Sequence, residues 1–317
     1  MHPLKALGLL TIALFGGILF IALIRSFTTE AEVFEGETVE IVLEAEQLAV
    51  EPEKVEKVVA SPPPPQVDRI EQLFAISGEQ LPIVKTIAYK RRVSWLRGRP
   101  AWLVDYAKHY GTSRYFIARS LSGHKDYFFE RYANGDRFNI LDPEKDISFH
   151  LLVDHSTHTL WFYYLDGEER VLLKTYTVGL GQPSHSPSGS LTPLGTYSLG
   201  QRVAIYRPGN MGYFNNEKTE MIRVFGTRWI PFSEEVSGCT APAKGLGIHG
   251  TPWAQGSDKA TLLDDSSSLG KNESDGCIRL ATEDIEELFS IIITKPTTIE
   301  LVRTFSDAKL PGKEASR

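Results

Sequence analysis

Gly247-Ile248-His249-Gly250-Thr251-Pro252-Trp253, followed by Ser274-Asp275-Gly276-Cys277-Ile278-Arg279-Leu280, sets a histidine ahead of a cysteine that a glycine precedes and an arginine follows. A free thiol with a pKa of about 8.5 is mostly protonated at neutral pH, so a nucleophilic cysteine needs a base or a positive field beside it. His249 is the candidate base. Gly276 lets the backbone turn tightly before Cys277, which allows consecutive amides to face a developing oxyanion. Arg279 adds a fixed cation whose planar fork of donors suits a carboxylate. The competing role for Arg279 is to tie loops together through backbone carbonyls.

His-Gly-Thr followed by Ser-x-Gly-Cys-Ile-Arg resembles the signature of the L,D-transpeptidases, the YkuD-like enzymes that remodel bacterial peptidoglycan. The likeness continues through Phe149 to Asp154, Leu160 to Tyr164, Lys174 to Gly179, Thr192-Pro193-Leu194-Gly195-Thr196-Tyr197 and Gly226-Thr227-Arg228-Trp229, so it covers residues 147–303. The resemblance implies that Cys277 attacks the carbonyl after the third residue of a tetrapeptide stem and releases D-Ala. An amine acceptor then takes the acyl group, giving a 3-3 cross-link or a related product. It further implies that His249 is the base, that the Gly250 carbonyl orients it, and that the Gly276 and Cys277 amides form the oxyanion hole. Arg279, Ser274, Thr251 and Trp229 are implied as substrate-binding or supporting residues. No metal or organic cofactor is implied, and the partners are peptidoglycan stem peptides and glycan strands.

Two features depart from the pattern. Cys277 lies 28 positions after His249, several more than is usual, so residues 254–271 read as an inserted surface loop beside the site. Asp275 stands where relatives often carry a polar or basic residue. A carboxylate beside a thiol disfavours the thiolate, so its side chain is expected to face water. Three other classes share parts of the pattern. A sortase-like acyltransferase lacks its usual Thr-Leu-x-Thr-Cys here. A cysteine protease or amidase explains the dyad but not the other blocks. A non-catalytic peptidoglycan-binding envelope protein would treat Asp275 and the insertion as marks of a decayed site.

The expected fold of residues 146–304 is mainly β, an antiparallel sandwich-like catalytic domain, from alternating runs such as Thr159 to Tyr164 and Val171 to Val178 between Gly-, Pro- and Ser-rich turns. Residues 282–293 read as a helix packed on the sheet, with acidic residues at its start and Ile285, Leu288, Phe289 and Ile292 on one stripe. Thr298 to Val302 is the expected last strand, and residues 305–317 a polar tail that frays.

The chain has 317 residues, 42% of them hydrophobic, with a net charge of -6, enough for two globular modules plus flexible segments. Residues 30–56 are densely acidic, whereas 85–137 are rich in Lys and Arg. Residues 6–24 form an unbroken apolar run about long enough to cross a ~30 Å hydrocarbon core. Residues 1–28 are therefore expected to be an uncleaved membrane anchor, with the catalytic domain on the outer, periplasmic or cell-wall side of the cell envelope. Residues 29–81, with four consecutive prolines at 62–65, read as an acidic linker.

Residues 82–145 resemble a LysM module, a strand, two helices and a strand; such modules bind N-acetylglucosamine-containing glycans. The two alternatives are an adaptor packed on the catalytic domain and a basic helix-turn-helix for nucleic acid. An exported chain does not meet DNA, so no nucleic-acid partner is expected. Cys239 and Cys277 are the only cysteines, and a disulfide between them is the plain alternative to a nucleophile. Cys239 sits in Ser237-Gly238-Cys239-Thr240 without a paired base, and reads as a free or partly buried thiol. His150, His155, His158 and His185 show no metal-ligand spacing.

Overall fold

The computed structural model describes residues 66–123, 131–256 and 261–315. The expected anchor at 6–24 and the linker up to residue 65 lie outside them. Among the described residues, no helix is long and apolar enough to cross a membrane.

The first described part contains helix α1 (Glu71–Phe74), strand β1 (Val84–Ala88), helices α2 (Leu103–Tyr110) and α3 (Arg114–Ser122), and strand β2 (Arg137–Leu141). β1 and β2 pair antiparallel, from Val84 opposite Leu141 to Ala88 opposite Arg137. Gly111 ends α2 in the left-handed region at φ 56, and Ser113 caps α3 by accepting the Tyr115 N–H at 3.2 Å. The strand, two-helix, strand order is thus present, and Tyr89, Leu103, Tyr106, Ile117, Phe138 and Ile140 give it a core of its own. Its other face does not stand alone. Ile70, Leu73, Leu81, Ile83, Phe116 and Leu141 are buried in the same cluster as the strands after residue 146. The linker boundary at residue 81 is therefore corrected. Asp68 bridges Lys174, and the Arg69 N–H donates to the Leu173 carbonyl at 2.8 Å, so packing begins near residue 68.

The second part runs β3 (Ile147–Asp154), β4 (Thr159–Asp166), β5 (Glu169–Thr177), β6 (Leu180–Gly181), β7 (Gly195–Leu199), β8 (Ala204–Ile205), β9 (Met211–Phe214), β10 (Glu217–Glu220) and helix α4 (Ile222–Phe225). It continues with β11 (Arg228–Ser237), β12 (Gly247–Gly250), β13 (Trp253–Gln255), β14 (Leu262–Asp264), β15 (Asn272–Ser274), β16 (Ile278–Leu280), helix α5 (Thr282–Ile292), β17 (Thr297–Val302) and β18 (Lys313–Glu314). Among the described residues, ten strands form one curled sheet in the order β16-β12-β11-β7-β17-β3-β4-β5-β18, with β8 on β11.

The domain is mainly β with few helices, but the antiparallel sandwich-like expectation needs correcting. β12–β16, β17–β3 and β18–β5 are parallel pairs. A parallel pair needs a crossover of about a dozen residues or more rather than a tight turn. The long segment between His249 and Cys277 supplies one, and α5 lies on the path from β16 to β17. α5 buries Ile285, Leu288, Phe289 and Ile292, the stripe its periodicity predicts, and Ile291 besides.

The tail is also corrected. Phe305, Ala308 and Leu310 pack on the sheet's second face against Leu152, Trp161, Tyr163 and Val302, with the Phe305 and Trp161 ring centroids 4.8 Å apart. The Lys309 N–H donates to Glu300 Oε1 at 2.8 Å, and β18 then extends the sheet beside β5. Three apolar side chains among polar ones suffice because they meet a patch of apolar side chains that the strands leave uncovered.

Candidate active site

β12 and β16 set Ile248 beside Ile278, His249 beside Arg279 and Gly250 beside Leu280. Side chains alternate along a strand. His249, Arg279 and Cys277, one residue ahead of β16, are therefore presented on one face.

The turn into Cys277 is built around Gly276, whose φ of +112 disfavours any other residue. A Cβ there would lie 2.8 Å from the Leu191 carbonyl oxygen and 3.0 Å from Leu246 Cδ2. Two buried hydroxyls brace the turn. Ser274 Oγ donates to the Cys277 carbonyl at 2.6 Å and accepts the Gly276 N–H at 3.2 Å. Thr192 Oγ1 donates to the Gly276 carbonyl at 3.0 Å and accepts the Gly181 N–H at 2.7 Å. Two expected roles change as a result. Ser274, 2% exposed, is committed to the turn rather than to a substrate, and the Gly276 amide is occupied rather than open to an oxyanion.

Cys277 is a half-buried free thiol. Its pKa is pushed up to about 11, first by burial; the Gly247 N–H and the Arg279 cation oppose the rise, and Asp275 adds to it least. Asp275 is exposed, as its position beside the thiol requires. Sγ lies 3.8 Å from the Gly245 carbonyl.

His249 is 3% exposed. Its Nδ1 lies 2.7 Å from the Gly250 carbonyl oxygen, which can only accept, so Nδ1 carries the proton and Nε2 keeps its lone pair. Burial is the first cause that lowers its pKa, to about 4; the Gly250 and Phe225 carbonyls pull upward and Arg279 pushes down. The imidazole is boxed by aromatic rings. Phe225 meets it edge-on at 5.4 Å between centroids, and Trp229, its partner across β11 and β12, lies tilted at 5.9 Å.

Trp229 thus packs beside the His249 ring. Phe225 was not singled out from sequence, because a four-residue helix shows no periodicity and nothing marks one phenylalanine among 16. Thr251 is fully buried and its hydroxyl donates to Asp264 Oδ1, so it does not face a substrate. Arg279 is held by its backbone and faces the pair with its side chain. Its main chain exchanges two 2.9 Å hydrogen bonds with Gly179, while its half-buried guanidinium acts on both His249 and Cys277. Among the described residues, Arg279 Nε is buried without a partner.

Within the expected insertion, β13 and β14 pair antiparallel, with Trp253 opposite Asp264 and Gln255 opposite Leu262. Among the described residues, no group of three or more His, Cys, Asp or Glu side chains is placed to hold a metal.

Residues 148–301 match the family model described as the L,D-transpeptidase catalytic domain, YkuD. No curated protein gives a significant match. Among solved structures, Bd1075 of Bdellovibrio bacteriovorus is 18% identical, with 49% of this chain and 48% of that one covered and a TM-score of 0.34. The helical cell shape determining protein Pgp2 of Campylobacter jejuni is 20% identical over 53% of this chain and 51% of its own, with a TM-score of 0.34. L,D-transpeptidase 1 of Mycobacterium tuberculosis is 19% identical over 52% of this chain and 66% of its own, with a TM-score of 0.25. The chain spans about half the length of the first two.

Proposed function

Taking residues 148–301 as a YkuD L,D-transpeptidase catalytic domain, we propose that the protein transfers acyl groups of peptidoglycan stem peptides through a thioester on Cys277. The observation that carries this reading is the bond from His249 Nδ1 to the Gly250 carbonyl, on a strand whose register puts the imidazole and the thiol on one face. That bond fixes the tautomer a general base needs.

With the imidazole pKa near 4 and the thiol near 11, the resting pair is neutral. His249 Nε2 takes the thiol proton as Sγ bonds to the donor carbonyl carbon. The tetrahedral intermediate collapses by breaking the C–N bond to D-Ala, whose amine leaves with the proton from His249. An acceptor amine then attacks the thioester, its proton passes to His249, and the proton returns to the departing thiolate. Burial of the dyad makes each of these charges costly until substrate arrives, which ties ionisation to the reaction.

With the Gly276 amide occupied, the Cys277 amide is the remaining carried-over donor for the oxyanion. The Arg279 guanidinium suits a stem-peptide carboxylate. The same reading puts the protein at the cell envelope, with residues 6–24 as its anchor and the basic strand, two-helix, strand module as its contact with glycan strands. The supports for these are the apolar run, the charge distribution and the element order.

The test is intact-mass analysis of the full chain with muropeptide tetrapeptides and, separately, with a carbapenem. A tetrapeptide acyl adduct with D-Ala release, present in Cys239→Ala and absent in Cys277→Ala, is the expected result. A reduced chain that forms no adduct with either reagent removes the enzyme reading and leaves a wall-binding protein.

A further inference from the structure

The segment that makes the His249 to Cys277 spacing long contributes one carboxylate to the site. We infer that Asp264 is a positioning residue, which holds His249 in its working orientation by clamping Thr251 and so the peptide between Gly250 and Thr251. The inference rests on the acyl-transfer reading of the dyad and names what keeps its base in place.

That peptide is gripped at both ends. Its carbonyl accepts from His249 Nδ1 at 2.7 Å, and its N–H donates to the Leu280 carbonyl at 2.8 Å. The side chain of its second residue is gripped as well, since Thr251 Oγ1 donates to Asp264 Oδ1. Thr251 is 0% exposed, so without Asp264 its hydroxyl meets no bulk water and must find another acceptor by moving.

The strand pair that carries Asp264 is tied down at its root on both sides. Asp264 Oδ2 accepts the Thr282 N–H at the start of α5 at 3.4 Å. On the facing strand, Trp253 Nε1–H donates to Thr282 Oγ1 at 3.3 Å, and the Asp265 N–H donates to the Pro252 carbonyl at 3.0 Å. One carboxylate therefore joins the end of the strand that carries His249 to the helix that follows the strand after Cys277. Asp264 itself is exposed and touches neither reacting atom, so it acts only through Thr251. Misplacing a catalytic group by about 1 Å can lower a rate by about 10²-fold.

The experiment uses the full chain as wild type, Asp264→Ala, Asp264→Asn, Thr251→Val, Thr251→Ser and the double variant Asp264→Ala with Thr251→Val. Intact mass gives the carbapenem adduct rate against reagent concentration, and iodoacetamide alkylation of Cys277 is followed from pH 6 to 11. Asp264→Ala and Thr251→Val are expected to lower the limiting adduct rate about tenfold while the half-saturating concentration stays within about twofold. The double variant should be no worse than the worse single variant, because both cut one connection. Asp264→Asn and Thr251→Ser, which keep an acceptor and a donor, should recover most of the rate.

Alkylation should be slower in Asp264→Ala near pH 7, with the gap closing towards pH 11, where the thiol ionises unaided. Because Asp264 also meets α5, Thr251→Val separates the two contacts by leaving the helix end untouched. Wild-type adduct rates in both single variants, or losses that multiply in the double, would overturn the inference. So would a lower melting temperature with no change in either chemical rate. If wild type forms no adduct, the acyl-transfer reading fails, and the alkylation profiles still decide whether Asp264 tunes the pair.

Discussion

The two cysteine turns of this chain are alike in sequence and unlike in surroundings. Gly238 at φ +62 precedes Cys239 and Gly276 at φ +112 precedes Cys277; both thiols are free and half-buried. Cys239 Sγ–H donates to the Thr196 carbonyl at 3.1 Å beside the buried Tyr197 ring, whose hydroxyl donates to the Ala241 carbonyl at 2.7 Å. The hydrogen-bond acceptors of the Cys239 thiol are the backbone carbonyls of Thr196 and Ser237. Cys277 instead receives the Gly247 N–H, feels the Arg279 cation, and shares a strand face with His249. A Gly-Cys dipeptide supplies a turn; the register of β12 against β16 supplies a histidine on the same face.

The largest expected effect breaks the comparison at its centre. Cys277→Ala should abolish the acyl adduct and D-Ala release, because no second thiol stands in the same field. An adduct that survives in Cys277→Ala and disappears in Cys239→Ala would exchange the two regions. Next is His249→Gln, which keeps a polar side chain but no base. It should lower the adduct rate by about 10² to 10⁴-fold, the usual range for loss of general base catalysis. Unchanged rates would mean that the thiol is activated by Arg279 and the Gly247 amide alone.

A smaller effect follows from the ionisation of the pair. His249 has a folded pKa near 4 against 6.5 unfolded, so the folded state favours the neutral ring. Its contribution is present above pH 6.5 and is lost as pH falls from 6.5 to 4, a loss of roughly 3 kcal/mol at full shift. His155, also lowered to about 4 by burial, adds to the same acid limb, so His249→Gln should remove only part of it. Cys277 is raised from 9 to about 11, so its contribution is present below pH 9 and lost between 9 and 11. Urea unfolding midpoints against pH, compared with His249→Gln and Cys277→Ala, check both limbs. A Cys277→Ala profile that keeps the full alkaline fall would place its source elsewhere.

Some of this was legible in the sequence because its physics is local. Gly276 announces a tight turn, and the stripe of α5 announces its packed face. What sequence did not show depends on partners far away along the chain. Thr192 braces the Cys277 turn from 84 positions away, and Phe225 reaches His249 from a helix too short to carry a period. The resemblance implies Ser274 and Thr251 as substrate-binding or supporting residues. Their burial, invisible in a list of residues, commits them to the backbone and to Asp264 instead. The polar tail misled for the opposite reason. Phe305, Ala308 and Leu310 are too sparse to form a pattern, yet they cover Trp161.

The smallest effect expected belongs to Cys239 and sharpens the contrast most. Its turn lies so close to β7 that a Cβ on Gly195 would sit 2.6 Å from Cys239 Cα, so the backbone there is fixed by packing and not by the thiol. Cys239→Ala removes one weak donor from the Thr196 carbonyl and a small buried side-chain volume, which should cost about 1 kcal/mol. The change should appear as a lower denaturant midpoint at an unchanged slope. Cys239→Ser, which restores a donor of nearly the same size, should recover part of it. In both variants the Cys277 adduct rate should stay within about twofold of wild type, since the hydrogen bonds of the Cys239 thiol run to Thr196 and Ser237 and not to the Cys277 turn. A fall of tenfold or more in Cys239→Ala would show that residues 239–247, which link Cys239 to the Gly245 carbonyl and Gly247 amide at Cys277, transmit strain between the turns. The two thiols would then form one coupled region rather than two.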